Sequence, residues 1–242
     1  MKLAIDIGNT QIKLGVFKNS ELIHTEYFND NEKIDEKLNC IKKFKPTSSI
    51  ISSVVPNLTT KYKKIIFDLL KLKSFIVDSK NCNLNLKVPK PNTVGADRIC
   101  NVMATSKLYN SPAIVIDFGT ATTYDVINYK NEFIGGVIAP GIKTSSQYLI
   151  QKAALLEHAD FIFPEQIIGK NTQENIQSGI MFGALDQVEG MIERINNETK
   201  EKNNIILTGG FSKLISPQLS LQHICDIDLT LKGMILIYES NY

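Results

Sequence analysis

Cysteine and histidine are too few and too scattered in this 242-residue chain to build a disulfide framework or a zinc centre. Cys40, Cys82, Cys100 and Cys225 form no C-x-x-C pair, and His24, His158 and His223 stand apart from one another. Both kinds of site are recognised by spacing, so reduced thiols and a cytoplasmic setting are expected. No apolar run approaches the roughly 18 residues of a transmembrane helix. The first apolar run contains Asp6, which predicts no signal-peptide core. A charge excess is missing too: 27 Lys and Arg against 25 Asp and Glu leave +2, far from the basic balance of a dedicated nucleic-acid binder. What remains is ordinary globular composition, 43% hydrophobic and 21% charged, long enough for one large domain or two small ones with real cores. Lysines do gather in residues 61–73 (KYKKIIFDLLKLK). Tyr62, Ile65, Ile66, Leu69 and Leu70 recur there at helical spacing, so the lysines read as the solvated face of an amphipathic helix.

The most informative presence is a repeated turn. Residues 3–10 (LAIDIGNT) are matched without a gap by residues 114–121 (IVIDFGTA), at an offset of 111 residues (117 − 6). The offset persists downstream, where Glu21-Leu22-Ile23 aligns with Glu132-Phe133-Ile134. Each copy is an apolar run, a carboxylate, a glycine two residues later, then hydroxyl or amide side chains and a second β-patterned run. This is a hairpin whose first strand delivers an Asp to a turn, with Gly allowing the backbone to approach a ligand. A lone D-x-G turn is ordinary turn chemistry. Two in register, each opening a half-chain, predict a duplicated domain with a site between the halves. Main-chain N–H groups and hydroxyls of such turns suit phosphate oxygens, and the carboxylates suit Mg²⁺ or its waters.

Along the chain, residues 2–17 read as strand, turn, strand, followed by a third strand at 21–28 and a helix-compatible segment at 30–44. Residues 49–55 (SIISSVV) form a buried strand stopped by Pro56. The Lys-rich helix, a short strand at 74–77, a Pro- and Asn-rich loop at 81–93 and a helix at 96–109 complete the first half. The second half restarts at Ala113 with three strands, the third at 132–138. A mostly helical stretch at 143–195, interrupted near Pro164 and Gly169, follows it. A strand at 204–207 and a helix at 229–239 end the chain. The expectation is an α/β fold of mixed sheets with helices on both faces, built twice over residues 1–111 and 112–242. Two further polar clusters stand out: Gly95-Ala96-Asp97-Arg98 at a loop-to-helix junction, and Thr208-Gly209-Gly210 after an apolar strand.

These motifs resemble the type III pantothenate kinases of the acetate and sugar kinase/Hsp70/actin superfamily. The matching segments are 6–13 (DIGNTQIK), 94–99 (VGADRI), 117–123 (DFGTATT), 135–141 (GGVIAPG), Asn171-Thr172 with Ser178-Gly179, 208–211 (TGGF) and 229–233 (LTLKG). They run in the family's order over essentially the whole chain. The resemblance implies duplicated ribonuclease H-like (actin-like ATPase) domains with a nucleotide cleft between them, and a homodimer that binds neither nucleic acid nor membrane. It implies phosphorylation of pantothenate by ATP to 4′-phosphopantothenate, the first step of coenzyme A biosynthesis.

Residue by residue, the resemblance makes Asp6, Ile7, Gly8, Asn9, Thr10, Gln11, Ile12 and Lys13 the first phosphate loop, with Thr120 a further ATP contact. Asp6 holds Mg²⁺ through water, and Asp117 is a ligand to the monovalent cation, K⁺ or NH₄⁺. Asp97 is similar to the catalytic base, with Gly95, Ala96, Arg98 and Thr172 on the pantothenate. One position departs from the family pattern: nine residues before Asp97, where a Tyr usually touches substrate, this chain has Val88. Two other readings stay open, a non-catalytic transcriptional accessory factor on the same scaffold and a kinase for another small hydroxy acid.

Overall fold

The structure is a computed structural model in which residues 1–30, 34–152 and 160–242 are described. In chain order its elements are β1 (Lys2–Ile7), β2 (Ile12–Lys18), β3 (Glu21–Phe28), α1 (Ile34–Lys42), β4 (Ser48–Ser53), α2 (Pro56–Leu70), β5 (Ser74–Ile76) and α3 (Ala96–Leu108). Then come β6 (Ala113–Phe118), β7 (Ala121–Ile127), β8 (Phe133–Pro140), α4 (Ile142–Lys152), α5 (Thr172–Thr199), β9 (Asn204–Gly209), α6 (Ser212–Ile215), β10 (His223–Cys225) and α7 (Leu229–Glu239).

The sequence repeat is realised as a repeat of topology. One five-stranded sheet has the order β3-β2-β1-β4-β5, the other β10-β9-β6-β7-β8, the same arrangement read from the opposite edge. In each, the central strand that carries the motif Asp is antiparallel to its hairpin partner and parallel to the strand that follows the intervening helical segment. Asp6 therefore lies opposite Lys13 on one side and Ser52 on the other. Asp117 lies opposite Thr123 and Thr208.

By contacts, Met1–Asn110, Asn131–Ile134 and Asp228–Tyr242 form the first unit, and Ser111–Lys130 with Gly135–Ile227 form the second. A plain division at residues 111 and 112 thus differs from the observed one at α7 and at the start of β8. The physical reason for the first difference is the composition of α7. This helix is apolar almost all round, burying Leu229, Leu231, Met234, Ile235 and Ile237, and an all-apolar helix needs cover on more than one face. It finds that cover in the first unit, among Ala4, Phe17, Ile50, Ile99, Cys100 and Met103.

Strand alternation sorts the first unit's side chains into two cores. Leu3, Ile5, Ile7 and Leu14 pack with Leu38, Ile41, Tyr62 and Ile66 from α1 and α2. Ala4 and Ile50 go to the opposite face, under α3 and α7. By the same period of two, Asp6, Lys13 and Ser52 fall on the α3/α7 face. In the second unit, Ile114, Ile116, Phe118 and Leu207 pack against Met181, Val188, Ile192 and Ile195 of α5. Asp117 has the other parity and points away from α5. Among the described residues no helix is long and apolar enough to cross a membrane.

Several boundaries differ from those read in the sequence. The Lys-rich helix begins at Pro56, not at residue 61, because Pro is pre-shaped for a first helical position. It stops at Leu70, where Lys71 turns left-handed at φ 58°. The helix expected over 30–44 appears as α1; residues 31–33 lie outside the described residues, as do 153–159 of the expected helical stretch 143–195. That stretch is otherwise two helices, α4 and α5, with non-helical chain at 160–171. The short β10 and α6 had no signal in the sequence, being too brief to show a period.

Gly233 and Gly190 provide a paired test of this packing. A Cβ at Gly233 on α7 would overlap the main-chain carbonyl of Cys100, which cannot rotate away, whereas one at Gly190 on α5 meets nothing within 4 Å. Gly233→Ala is expected to lower unfolding stability by about 1–3 kcal/mol. Gly190→Ala should raise it by roughly 0.5–1 kcal/mol through lost backbone freedom. Urea unfolding of both variants checks this, and an undiminished midpoint for Gly233→Ala would contradict the close α3/α7 approach.

Candidate active site

The first turn is tight by construction. Gly8 N–H donates to the Gln11 carbonyl at 3.1 Å, closing the β1–β2 hairpin, and a Cβ on Gly8 would sit 3.1 Å from that same oxygen. Asn9, Thr10 and Gln11 are exposed at the tip, while Ile7 and Ile12 are buried and anchor it. Asp6 ends the strand half-buried, with its Oδ1 accepting the hydroxyl of the fully buried Ser52 at 2.9 Å. Lys13, across the hairpin, places its Nζ 2.9 Å from Asp228 Oδ1 and 5.1 Å from the centre of the Tyr27 ring. Asp228 stands immediately before α7.

The same face receives the start of α3. Gly95 is the N-cap, Ala96 is buried, and Asp97 Oδ1 accepts the Arg98 main-chain N–H at 2.8 Å. A Cβ at Gly95 would lie 2.5 Å from Asp97 Oδ1, so a larger residue there would push this folded-back carboxylate aside. Burial pushes the Asp97 carboxyl above its ordinary range, against the opposing pull of the Arg98 main-chain N–H and guanidinium. One turn further on, Cys100 is fully buried. Burial pushes its thiol up first, the Asp6 carboxylate adds to that, a hydrogen bond with Ser52 opposes it, and Asp97 adds again. Asp97 and Cys100 thus stand on the helix that packs over the sheet face carrying Asp6 and Ser52.

Arg98 lays its guanidinium over the Phe133 ring, with Cζ 5.5 Å from the ring centre. The loop carrying Val88 comes to the same place. Lys87 N–H donates to the Phe133 carbonyl at 2.8 Å, Phe133 N–H donates to the Asn85 carbonyl at 3.0 Å, and Val88 follows half-buried. The 81–93 segment, expected as a patternless loop, thus carries a parallel bridge at Leu86 and a single 3₁₀ turn at Pro91–Thr93.

The second unit holds the remaining candidates. Asp117 is next to last in β6, flanked on its own face by Thr123 and Thr208, its cross-strand neighbours. Gly209, at φ +88°, admits the Asp117 carboxylate where a Cβ would collide with it. The exposed Thr120 offers its carbonyl to Gly141 N–H at 3.0 Å and to Thr144 Oγ1 at 2.7 Å, so the second turn is clamped by the start of α4. Thr172 is exposed at the first position of α5. The Asn171 cap accepts Glu174 N–H there at 2.9 Å, and Glu174 Oε2 accepts Lys170 N–H at 2.7 Å. A cavity of about 240 Å³ lined by Phe118, Thr122, Gly179 and Gly183 lies on the α5 side of this sheet, opposite the face that carries Asp117.

Among the described residues no three His, Cys, Asp or Glu side chains converge as a metal site. A divalent ion at Asp6 would therefore take most of its ligands from phosphate oxygens and water, as Mg²⁺ commonly does. The donor set fits a hard cation, a carboxylate fixed by a hydroxyl. Around Asp117 the fit is likewise to a hard ion: Thr123 Oγ1 is buried without a hydrogen-bond partner among the described residues, on the Asp117 face.

Sequence reading singled out Asp6, Asp97 and Asp117 and did not single out Ser52, Asp228, Glu132 or Phe133, which the structure sets beside the candidate residues. Ser52 had one signal, its parity with Ile50 on a strand parallel to β1. Asp228 had another, its place just before an apolar helix.

Comparison with known proteins gives the fold a wider frame. A Baf family transcriptional activator, so named, from Campylobacter jejuni superposes with a TM-score of 0.67 at 20% identity, covering 99% of this chain and 98% of that one. The activator of 2-hydroxyisocaproyl-CoA dehydratase from Clostridium difficile, solved with bound ADPNP, gives 0.57 at 11% identity over 99% and 96%. A protein named as a 2-dehydro-3-deoxygalactonokinase from Sinorhizobium meliloti gives 0.59 at 8% identity over 100% and 97%. At these identities the likeness establishes a fold, the duplicated actin-like ATPase architecture, and the two five-stranded sheets agree with it. The family model for type III pantothenate kinase matches residues 2–194, a span that holds both Asp-Gly turns and the Asp97 helix, and this chain accordingly belongs to the type III pantothenate kinase family.

Proposed function

We propose that this protein transfers the γ-phosphoryl group of ATP to the primary hydroxyl of pantothenate, giving 4′-phosphopantothenate and ADP, the first step of coenzyme A biosynthesis. The observation that carries the reading is Asp97, a half-buried carboxylate in the first turn of α3, the helix packed on the sheet face that carries Asp6. Phosphoryl transfer passes through a loose transition state, so the protein's work is positioning and charge stabilisation. Asp97 accepts the hydroxyl proton as the new O–P bond forms, and the bond to the β-phosphate oxygen breaks with its electron pair leaving on ADP. A carboxylate held above its ordinary pKa is a stronger base for that step. Main-chain N–H groups and side chains of residues 6–13, with Thr120, bind phosphate oxygens. Lys13 shares its charge between Asp228 and the phosphates.

Mg²⁺, when bound, neutralises β/γ-phosphate charge, and Asp6 would hold its water shell with Ser52 fixing the carboxylate. Asp117, with Thr123 beside it, would hold K⁺ or NH₄⁺. Gly95, Ala96, Arg98 and Thr172 form the acceptor contacts, with Arg98 pairing the pantothenate carboxylate. The enzyme acts in the cytoplasm as a homodimer. Val88 in place of the family's Tyr keeps a second acceptor in view, another small hydroxy acid. A coupled assay with ATP, Mg²⁺, K⁺ and pantothenate against a panel of alcohols separates the two, and absence of turnover with any of them would favour a non-catalytic accessory role.

Asp97→Asn is expected to lower kcat by about 10²–10⁴, the usual worth of a general base. The acid limb of the wild-type pH–rate profile, where activity rises as Asp97 ionises, should vanish with it. The sign for stability is opposite. Because the folded state raises this pKa, ionising Asp97 costs stability as pH climbs from the ordinary carboxylate value through the raised one, and the full cost is reached above it. The Asn variant should therefore melt no lower than wild type at pH 7. A variant that keeps about a third or more of kcat, outside that range, removes Asp97 as the base.

Asp117→Ala should abolish the response of the rate to K⁺ and NH₄⁺ while the protein stays folded. Normal activation by K⁺ in this variant would place the cation elsewhere. Light scattering at micromolar concentration should give about twice the 27.1 kDa chain mass; a fully active monomer would reject the dimer.

A further inference from the structure

We infer that Phe133 is a positioning residue for acceptor recognition, its ring carrying the Arg98 guanidinium and its main chain carrying the segment that ends at Val88. The inference deepens the reading above and rests on it for the roles of Arg98 and Val88. Phe133 is 2% exposed, so its ring is a fixed plate. A guanidinium over the face of such a plate is held by the ring quadrupole and loses freedom to swing away. Its N–H donors then radiate in the plane, the geometry needed for two parallel hydrogen bonds to a carboxylate.

The same residue holds the loop. Residues 81–93 are rich in Asn and Pro and lack a strand or long helix of their own, so something outside must fix them. Phe133 provides two main-chain hydrogen bonds, accepting from Lys87 and donating to Asn85. Its neighbour Glu132, 8% exposed, adds two more links: Asn85 Nδ2 donates to Oε1 at 2.7 Å, and Lys87 Nζ lies 3.0 Å from Oε2. Val88 is the next residue along. A two-residue segment between β7 and the rest of β8 thus sets both the direction of the cation and the position of the side chain that departs from the family pattern. A lost or tilted plate would weaken recognition of the acceptor's charge and leave the nucleotide side alone.

The discriminating variants are Phe133→Leu, which keeps apolar volume and loses the π face, Phe133→Tyr, which keeps both, and Arg98→Met. Steady-state kinetics are measured with pantothenate and with its uncharged alcohol analogue, ATP being varied separately. Phe133→Leu is expected to raise the KM for pantothenate about 3- to 10-fold, with KM for ATP and KM for the uncharged analogue unchanged. Phe133→Tyr should restore wild-type values, and the Phe133→Leu/Arg98→Met double variant should be no worse than Arg98→Met alone. A rise in KM for ATP equal to that for pantothenate, an equal effect on the uncharged analogue, or additive losses would overturn the inference. If wild-type protein does not phosphorylate pantothenate at all, the proposed function falls by itself. The contact is then decided by urea unfolding of the same four-protein cycle. A coupling of about 2- to 5-fold in the unfolding constant supports it, and additivity overturns it.

Discussion

A carboxylate at the end of a buried central strand has to be kept both satisfied and reachable, and much of this structure follows from that constraint. Asp6 emerges from the central strand of its sheet, with Leu3, Ala4 and Ile5 fully covered. An ionised carboxyl in such surroundings needs hydrogen-bond donors close by. The parallel neighbour β4 supplies one, because the register sets Ser52 beside Asp6. In the second unit the parallel neighbour β9 sets Thr208 beside Asp117 by the same register logic. In the first unit a hydroxyl on the parallel strand is the answer. It fixes the carboxylate without neutralising it, as a lysine there would.

From that strand end the rest of the first unit's chemistry is reached through α3. The helix lies over the sheet face that carries Asp6 and Ser52, with Ala96, Ile99 and Cys100 packed on Ala4 and Ile50 and Asp97 one turn before Cys100. The closeness depends on glycine. Gly233 lets α7 come down on the Cys100 carbonyl, and Gly95 lets the Asp97 carboxylate fold back over the helix start. The partial burial that strengthens the proposed base is therefore a consequence of helix packing. Asp228 takes part in two structures at once, preceding α7 and pairing with Lys13 of the first turn.

How much of this was legible in the sequence varies with the length scale. The strands β1, β2, β6 and β7 are marked by apolar runs on either side of a D-x-G turn, and the 111-residue offset between them is visible without coordinates. Asp6, Asp97 and Asp117 stand out because a carboxylate at the end of an apolar run, or at a loop-to-helix junction, has no packing reason to be there. Phe133 gives no such sign. In sequence it is one aromatic residue at the start of a β-patterned run, and nothing local indicates that Arg98 and residues 85–87 meet it. Glu132 is similar: as part of the repeat it aligns with exposed Glu21, yet here it is buried and doubly bound.

The sequence alone determined the duplication, the strand–turn–strand openings, the carboxylates at their tips and the near-balanced charge, since each depends on residue order or composition within a few positions. Tertiary structure decided what those residues meet. Strand parity chose the face on which Asp6 and Ser52 come together, and helix packing lifted the Asp97 pKa. A mostly apolar α7 joined the first unit although it follows the second in the chain, because Leu231, Met234, Ile235 and Ile237 find their cover in that unit's core. Such contacts join residues tens to more than a hundred positions apart, as between Gly233 and Cys100 or Asn85 and Glu132. No periodicity or local propensity encodes them; they exist only once the chain has closed on itself.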